Sequence, residues 1–195
     1  MSAGPRIFAG YGVELEYMIV LRDTLAILPI TDQVLLREGG EPLDDVERGN
    51  LGWSNELVRH VIEIKNIEPV PTLAGLAESF QGEVAAVNEV LAGRDACLLP
   101  GAMHPWMDPQ REAVLWPFGS NRIYQAYDRI FDCRGHGWSN LQSTHLNLAF
   151  QGDDEFARLH GAAHALERVV GVDQEHAVVG HHAGVGAEGL QFVVE

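Results

Sequence analysis

The run Gly12-Val-Glu-Leu-Glu-Tyr-Met-Ile19, inside residues 7–21, decides the reading of the fold. Val13, Leu15, Tyr17 and Ile19 point one way along it, while Gly12, Glu14, Glu16 and Met18 point the other. A period of two marks a strand whose faces meet different surroundings, and it sets Glu14 beside Glu16 on one face of a sheet. The pattern recurs twice. Residues 58–66 place Val58, His60, Ile62 and Ile64 opposite Arg59, Glu63 and Lys65; residues 141–150 place Leu146, Leu148 and Phe150 opposite Ser143, His145 and Asn147. Such strands, interleaved with helices, predict an α+β fold: an antiparallel sheet with helices packed on its apolar face. The other face is then open, polar and acidic, and is the place to look for a site.

The intervening segments carry helical periodicity. Thr72 stands where it can cap a helix with Leu73, Leu76, Ala77, Phe80, Val84, Val87 and Leu91 inward, and Gly93 stands at its end. Ser120 can cap a second helix carrying Ile123, Tyr124, Tyr127, Ile130 and Phe131 inward, and Asp153 can start a third with Phe156, Leu159, Ala163 and Leu166 inward. Residues 100–118, rich in Pro and Trp, read as an ordered loop. Residues 1–160 therefore read as one unit. Residues 161–195 form an Ala/Gly/His-rich tail, read as a short helix followed by a disordered end. Five of the nine histidines fall between His160 and His182, and His176, His181 and His182 give only a weak metal pattern.

The net charge is −15. That surface repels nucleic-acid phosphates, which argues against DNA or RNA as a partner. It also repels ATP, so a phosphate ligand needs a divalent cation between itself and the carboxylates. No apolar run approaches the roughly 20 residues of a membrane span, and the N-terminus lacks a signal-peptide layout; the reading is cytoplasmic. Cys97 and Cys133 lack metal-type spacing and are expected reduced and structural.

The candidate chemistry sits on the polar strand faces. Glu14 and Glu16 repel one another, so the pair either borders solvent on an edge strand or holds a hard cation such as Mg²⁺, and parity alone leaves both open. Glu63 on a second strand adds an acidic ligand. His145 on a third is a ligand, a phosphate contact or a hydrogen-bonded structural group. Arg59 and Lys65 can pair with a substrate carboxylate or phosphate, or equally with Glu63, and Asn147 shares the face of His145. His104, in Gly101-Ala-Met-His-Pro-Trp106, is either presented to a substrate or packed under Trp106. No phosphate loop, dinucleotide glycine fingerprint or GxSxG elbow is present.

These blocks together resemble the bacterial glutamate–cysteine ligase family of the second type. Gly12-Val-Glu-Leu-Glu-Tyr17 resembles its opening strand, and His60-Val-Ile-Glu-Ile-Lys65 its second acidic strand. Leu99-Pro-Gly-Ala-Met-His-Pro-Trp-Met-Asp-Pro109 resembles its Gly-x-His-Pro loop, and the segment 130–148 the approach to its histidine-bearing strand. The blocks fall in family order over about residues 7–160. The resemblance implies a glutamine-synthetase-like antiparallel sheet, here incomplete because the family's catalytic domain is normally longer. It implies an ATP-dependent ligase that phosphorylates a glutamate carboxylate and then joins it to the amine of cysteine or a similar compound, as in γ-glutamyl synthesis for glutathione. Mg²⁺ would be the metal and ATP a substrate. Carried over residue by residue, Glu14, Glu16, Glu63 and His145 match metal positions. Glu16, His145 and His104 are the catalytic candidates, and Arg59, Lys65 and Asn147 the nucleotide-contacting ones; Glu68 receives no role. The alternative is an inactive half-domain that only binds metal or associates with a partner, either a second copy or the missing half. An oxygenase-like metal enzyme using Glu14, Glu16 and His145 is the third reading; no closely spaced His pair near the acidic strand supports it.

Overall fold

A computed structural model gives the architecture. It describes residues 6–36, 40–134, 139–170, 177–184 and 187–194, with those from 167 onward described as backbone only. The strands are β1 (Tyr11–Leu21), β2 (Asp45–Arg48), β3 (Leu51–Asn55), β4 (Val61–Asn66), β5 (Ala96–Leu99), β6 (Thr144–Ala149), β7 (Ala177–Gly184) and β8 (Ala187–Val194). The helices are α1 (Thr31–Val34), α2 (Leu76–Ala92), α3 (Pro109–Glu112), α4 (Asn121–Phe131) and α5 (Gly152–Val170). The sheet runs β2-β3-β4-β1-β6-β8-β7, with β5 also on β1, and every pair is antiparallel. The α+β reading holds, and the sheet is open.

β1 is the central strand. One edge pairs with β4 over residues 14–18; the other is shared, β6 taking residues 11–15 and β5 residues 18–21. At the hand-over, the Met18 amide donates to Gln142 Oε1 at 3.1 Å and the Glu16 amide to the Ser143 carbonyl at 3.0 Å, so the backbone of β1 stays satisfied across the gap. The alternation predicts the core correctly. Val13, Leu15, Tyr17 and Ile19 face a cluster containing Trp53, Ile62, Ile64 and the inner stripe of α2, namely Phe80, Val87 and Leu91. Asn88 fastens α2 to β5 by accepting from the Leu98 amide at 2.9 Å.

Several expectations are corrected. β2, β3 and β5 are not legible as alternating strands; every residue of β3 is buried, so no exposed side marks its polar face. The acidic face is not open along its whole length. Met18 and Val20 sit in a second apolar cluster with Val58, Val61, Met107 and Ala113, covered by the 100–118 loop. Within that loop Asp108 caps α3 through the Gln110 amide. α2 starts after Gly75 rather than at Thr72, whose hydroxyl instead accepts from the Ala74 amide, and Leu73 lies exposed before it.

The largest departure concerns α4. Its stripe of Ile123, Tyr127, Ile130 and Phe131 is expected inward but is exposed, between 47% and 68%, and no residue of α4 is buried. Periodicity reports that a helix has an apolar face, not that the chain supplies a surface to cover it. Leu166 on α5 is likewise exposed, whereas Leu159 and Ala163 are buried as expected. α5 runs unbroken past residue 160, so the boundary read there falls within a helix. Where a disordered end is expected, the backbone of 187–194 pairs onto the free edge of β6, and 177–184 pairs in turn onto 187–194. His176 lies outside the described residues, and His181 and His182 are described as backbone only. Cys97 and Cys133 are free thiols. Among the described residues no helix is long and apolar enough to cross a membrane.

Candidate active site

The register explains how residues distant in sequence meet. Glu14 stands opposite Lys65 on β4 and opposite His145 on β6, and Glu16 stands opposite Glu63. All five therefore share the polar face. Glu14 Oε2 lies 2.5 Å from His145 Nδ1, and its Oε1 accepts from Asn147 Nδ2 at 2.9 Å. His145 Nε2 lies 3.7 Å from Glu16 Oε1. Glu16 Oε2 accepts from the Ser143 amide at 2.8 Å. Glu63 accepts from the Ser54 hydroxyl at 2.8 Å and pairs with Lys65 at 3.1 Å, and Lys65 also reaches Asp45 at 3.2 Å. Gly12 makes room for this: a Cβ there would lie 2.9 Å from that of Asn147, the residue that holds Glu14.

Too few positive charges answer these carboxylates. Burial pushes Glu16 up to about 7 against the Ser143 amide, with Glu63 and Glu14 adding repulsion. Burial likewise raises Glu63, opposed by Lys65. Burial alone would raise Glu14, but the hydrogen bond and charge of His145 outweigh it and hold Glu14 below its usual range. His145 rises in return: burial works against its charged form, and the Glu14 bond and surrounding glutamates prevail. Lys65 is pushed above its usual range, burial being outweighed by Glu63 and Asp45.

Glu56, just beyond β3, was not expected from the sequence. It is raised well above the carboxylate range by burial, with Glu63 and Glu16 adding repulsion. Nothing marks it in the sequence except a charge directly after a fully buried strand. Glu16, Glu56 and Glu63 form one group of potential ligands, and Glu14, Glu63 and His145 another; within each group the ligand atoms lie within 4.8 Å of one another. Glu63 belongs to both. Oxygen-rich triads of incompletely compensated carboxylates fit a hard divalent cation, which would offset the repulsion. A cavity of about 250 Å³ opens beside Glu16 and Glu56, with Leu57, Leu141, Tyr124 and Tyr127 among its walls.

Two expected site residues are engaged elsewhere. Arg59 precedes β4 and holds Asp32 through Nε at 3.0 Å and Nη2 at 2.7 Å, so the pairing with Glu63 is not made. His104 is 2% exposed, its Nε2 lies 2.7 Å from the Leu25 carbonyl, and its Nδ1 accepts from the Met107 amide at 3.1 Å. Both ring nitrogens thus hold the loop together. Lys65 and Asn147 are at the cluster, ordering Glu63 and Glu14 respectively.

The sequence profile described as Glutamate-cysteine ligase family 2 matches residues 11–169. The chain belongs to glutamate–cysteine ligase family 2. An uncharacterized protein of Archaeoglobus fulgidus is 36% identical over 140 residues, covering 71% of this chain and 37% of that protein. The fold of this family member is similar to that of a glutamate–cysteine ligase from Francisella tularensis crystallised in complex with AMP. That match has a TM-score of 0.50 at 12% identity and covers 88% of this chain and 31% of the other. The chain thus spans about a third of the length of the relatives it matches.

Proposed function

We propose that the acidic face is the metal-dependent centre of an ATP-using carboxylate–amine ligase, with glutamate as the acyl donor. The observation that carries the reading is the pair of triads meeting at Glu63 beside a cavity with both carboxylate and apolar walls, in a chain of this family. Glu14, Glu63 and His145 would hold one Mg²⁺, and Glu16 and Glu56 with Glu63 a second. Bound there, the ions supply charge neutralisation for nucleotide phosphates in a site that otherwise repels them.

The protein's own groups then have defined tasks. Asn147 and His145 orient Glu14; Ser54 and Lys65 orient Glu63. The glutamate carboxylate attacks the terminal phosphorus of ATP, forming an acyl phosphate and releasing ADP. The neutral amine of cysteine or a similar acceptor, seated in the cavity between Glu56 and the tyrosines of α4, attacks the acyl carbon. The C–O bond breaks, phosphate leaves, and an amide remains. The departing phosphate can take the proton shed by the amine, since Glu16 would be ionised and engaged as a metal ligand.

The test is phosphate release from ATP and Mg²⁺ with L-glutamate and L-cysteine, repeated with Glu16→Gln. Amine-dependent release that disappears in the variant supports the reading. A folded wild-type chain that releases no phosphate counts against a self-sufficient ligase. It then favours the second reading, a partial domain confined to metal binding or partner association, to which the coverage of the relatives and the bare face of α4 also point.

A further inference from the structure

α4 has no buried residue, yet it contributes Tyr124 and Tyr127 to the wall of the candidate cavity. Half-buried Tyr124 packs against the main core cluster, but one side chain does not by itself fix the helix's height above Glu16 and Glu56. The polar joint at its N-terminus answers this. Asp44 Oδ1 accepts from the Trp116 indole at 2.8 Å, and Oδ2 accepts from the Ser120 amide at 3.0 Å and the Ser120 hydroxyl at 2.9 Å. One carboxylate thereby holds both ends of the segment that leads into the helix. Gly119 is required there, since a Cβ would lie 2.0 Å from Asp44 Oδ2 and 2.5 Å from its Cγ. Ser120 is the N-cap residue but makes no side-chain cap bond; its hydroxyl is used for Asp44 instead.

The same aspartate ties this joint to the acidic cluster. Its carbonyl accepts from the Asn55 amide at 2.9 Å, and Asn55 Nδ2 donates to the Tyr124 hydroxyl at 3.1 Å. Asn55 immediately precedes Glu56, and Asp45, next to Asp44, bonds the Lys65 that holds Glu63.

Resting on the ligase reading above, we propose that Asp44 is a positioning residue that sets α4 over the cavity and so determines acceptance of the amine. Asp44 belongs to neither ligand triad and is not among the cavity's lining residues; it acts through Tyr124 and Tyr127. Charge-assisted hydrogen bonds are the strong ones, and three converge on this carboxylate.

The experiment compares Asp44→Ala, Asp44→Asn and Gly119→Ala in the full chain, with L-cysteine as the probe amine. Phosphate release is measured while ATP and L-cysteine are varied separately, and amide hydrogen exchange is followed over residues 118–131. Asp44→Ala and Gly119→Ala should raise the KM for L-cysteine about tenfold or more with the KM for ATP nearly unchanged. Exchange over 118–131 should quicken while β1 and β4 stay protected. Asp44→Asn keeps one acceptor oxygen and should recover part of both effects. A parallel rise in both KM values, or exchange like the wild type in Asp44→Ala and Gly119→Ala, overturns the proposal. Should the wild type release no phosphate, the ligase reading fails by itself. L-cysteine must then still slow exchange over 118–131 in the wild type and not in Asp44→Ala; absence of that difference overturns the positioning role.

Discussion

Replacing Glu56 by glutamine removes an acidic group from a buried place beside Glu16 and Glu63, whose charges oppose its ionisation. The metal-free Glu56→Gln protein should therefore gain about 1 kcal/mol, roughly 2–4 °C in Tm for a chain of this size. It should at the same time bind Mn²⁺ more weakly, since one carboxylate of a triad is gone. Thermal melts with and without Mn²⁺ check both signs; equal destabilisation in both would contradict the assignment. At Gly12 the expected effect is indirect. Gly12→Ala pushes on Asn147, which holds Glu14, and loss of such an orienting bond typically costs about tenfold in metal affinity. A Mn²⁺ titration followed by electron spin resonance reads this directly.

At the scale of elements, α2 and α4 carry similar apolar stripes but differ in what meets them. Leu91 on α2 is fully buried, whereas Ile130 on α4 is 68% exposed. Leu91→Ala should cost about 2–5 kcal/mol, and Ile130→Ala should stay within roughly 0.5 kcal/mol. Urea unfolding of the two variants tests whether α4 is held by its N-terminal joint rather than by packing. A loss above about 2 kcal/mol for Ile130→Ala would mean its apolar face is covered in solution.

Over the whole molecule, the metal-free protein should lose stability as the pH rises. Glu16, Glu56 and Glu63 have folded values above 4.5, so between that value and their raised ones the native state holds more protons than the unfolded chain. Stability then falls with pH through this window, for Glu16 from about 4.5 to about 7. His145, raised above 6.5, contributes stability that is present below 6.5 and lost as pH climbs through its folded value. Glu14, lowered from 4.5, acts oppositely: its contribution is present above 4.5 and lost as pH falls through its folded value. Calorimetry from pH 5 to 8 should show a falling Tm without metal and a flatter profile with saturating Mg²⁺, which takes the place of the protons. A metal-free Tm that climbs across this range would refute the sign.

The sequence alone determined the central sheet face and most of what lies on it. Period-two alternation is a local property of a strand, so it places Glu14, Glu16, Glu63, His145 and Asn147 on polar faces before any contact is known. Tertiary structure decided the rest, because it depends on which surfaces meet. Glu56 becomes a cluster member only when fully buried β3 pairs with β4 and carries the chain beside Glu63. Arg59 and His104 stand apart from the acidic cluster because Asp32 and backbone groups engage them instead. The outward face of α4 follows the same logic: amphipathic spacing belongs to the helix, but burial belongs to whatever packs against it, and here Ile123, Tyr127 and Ile130 stay exposed.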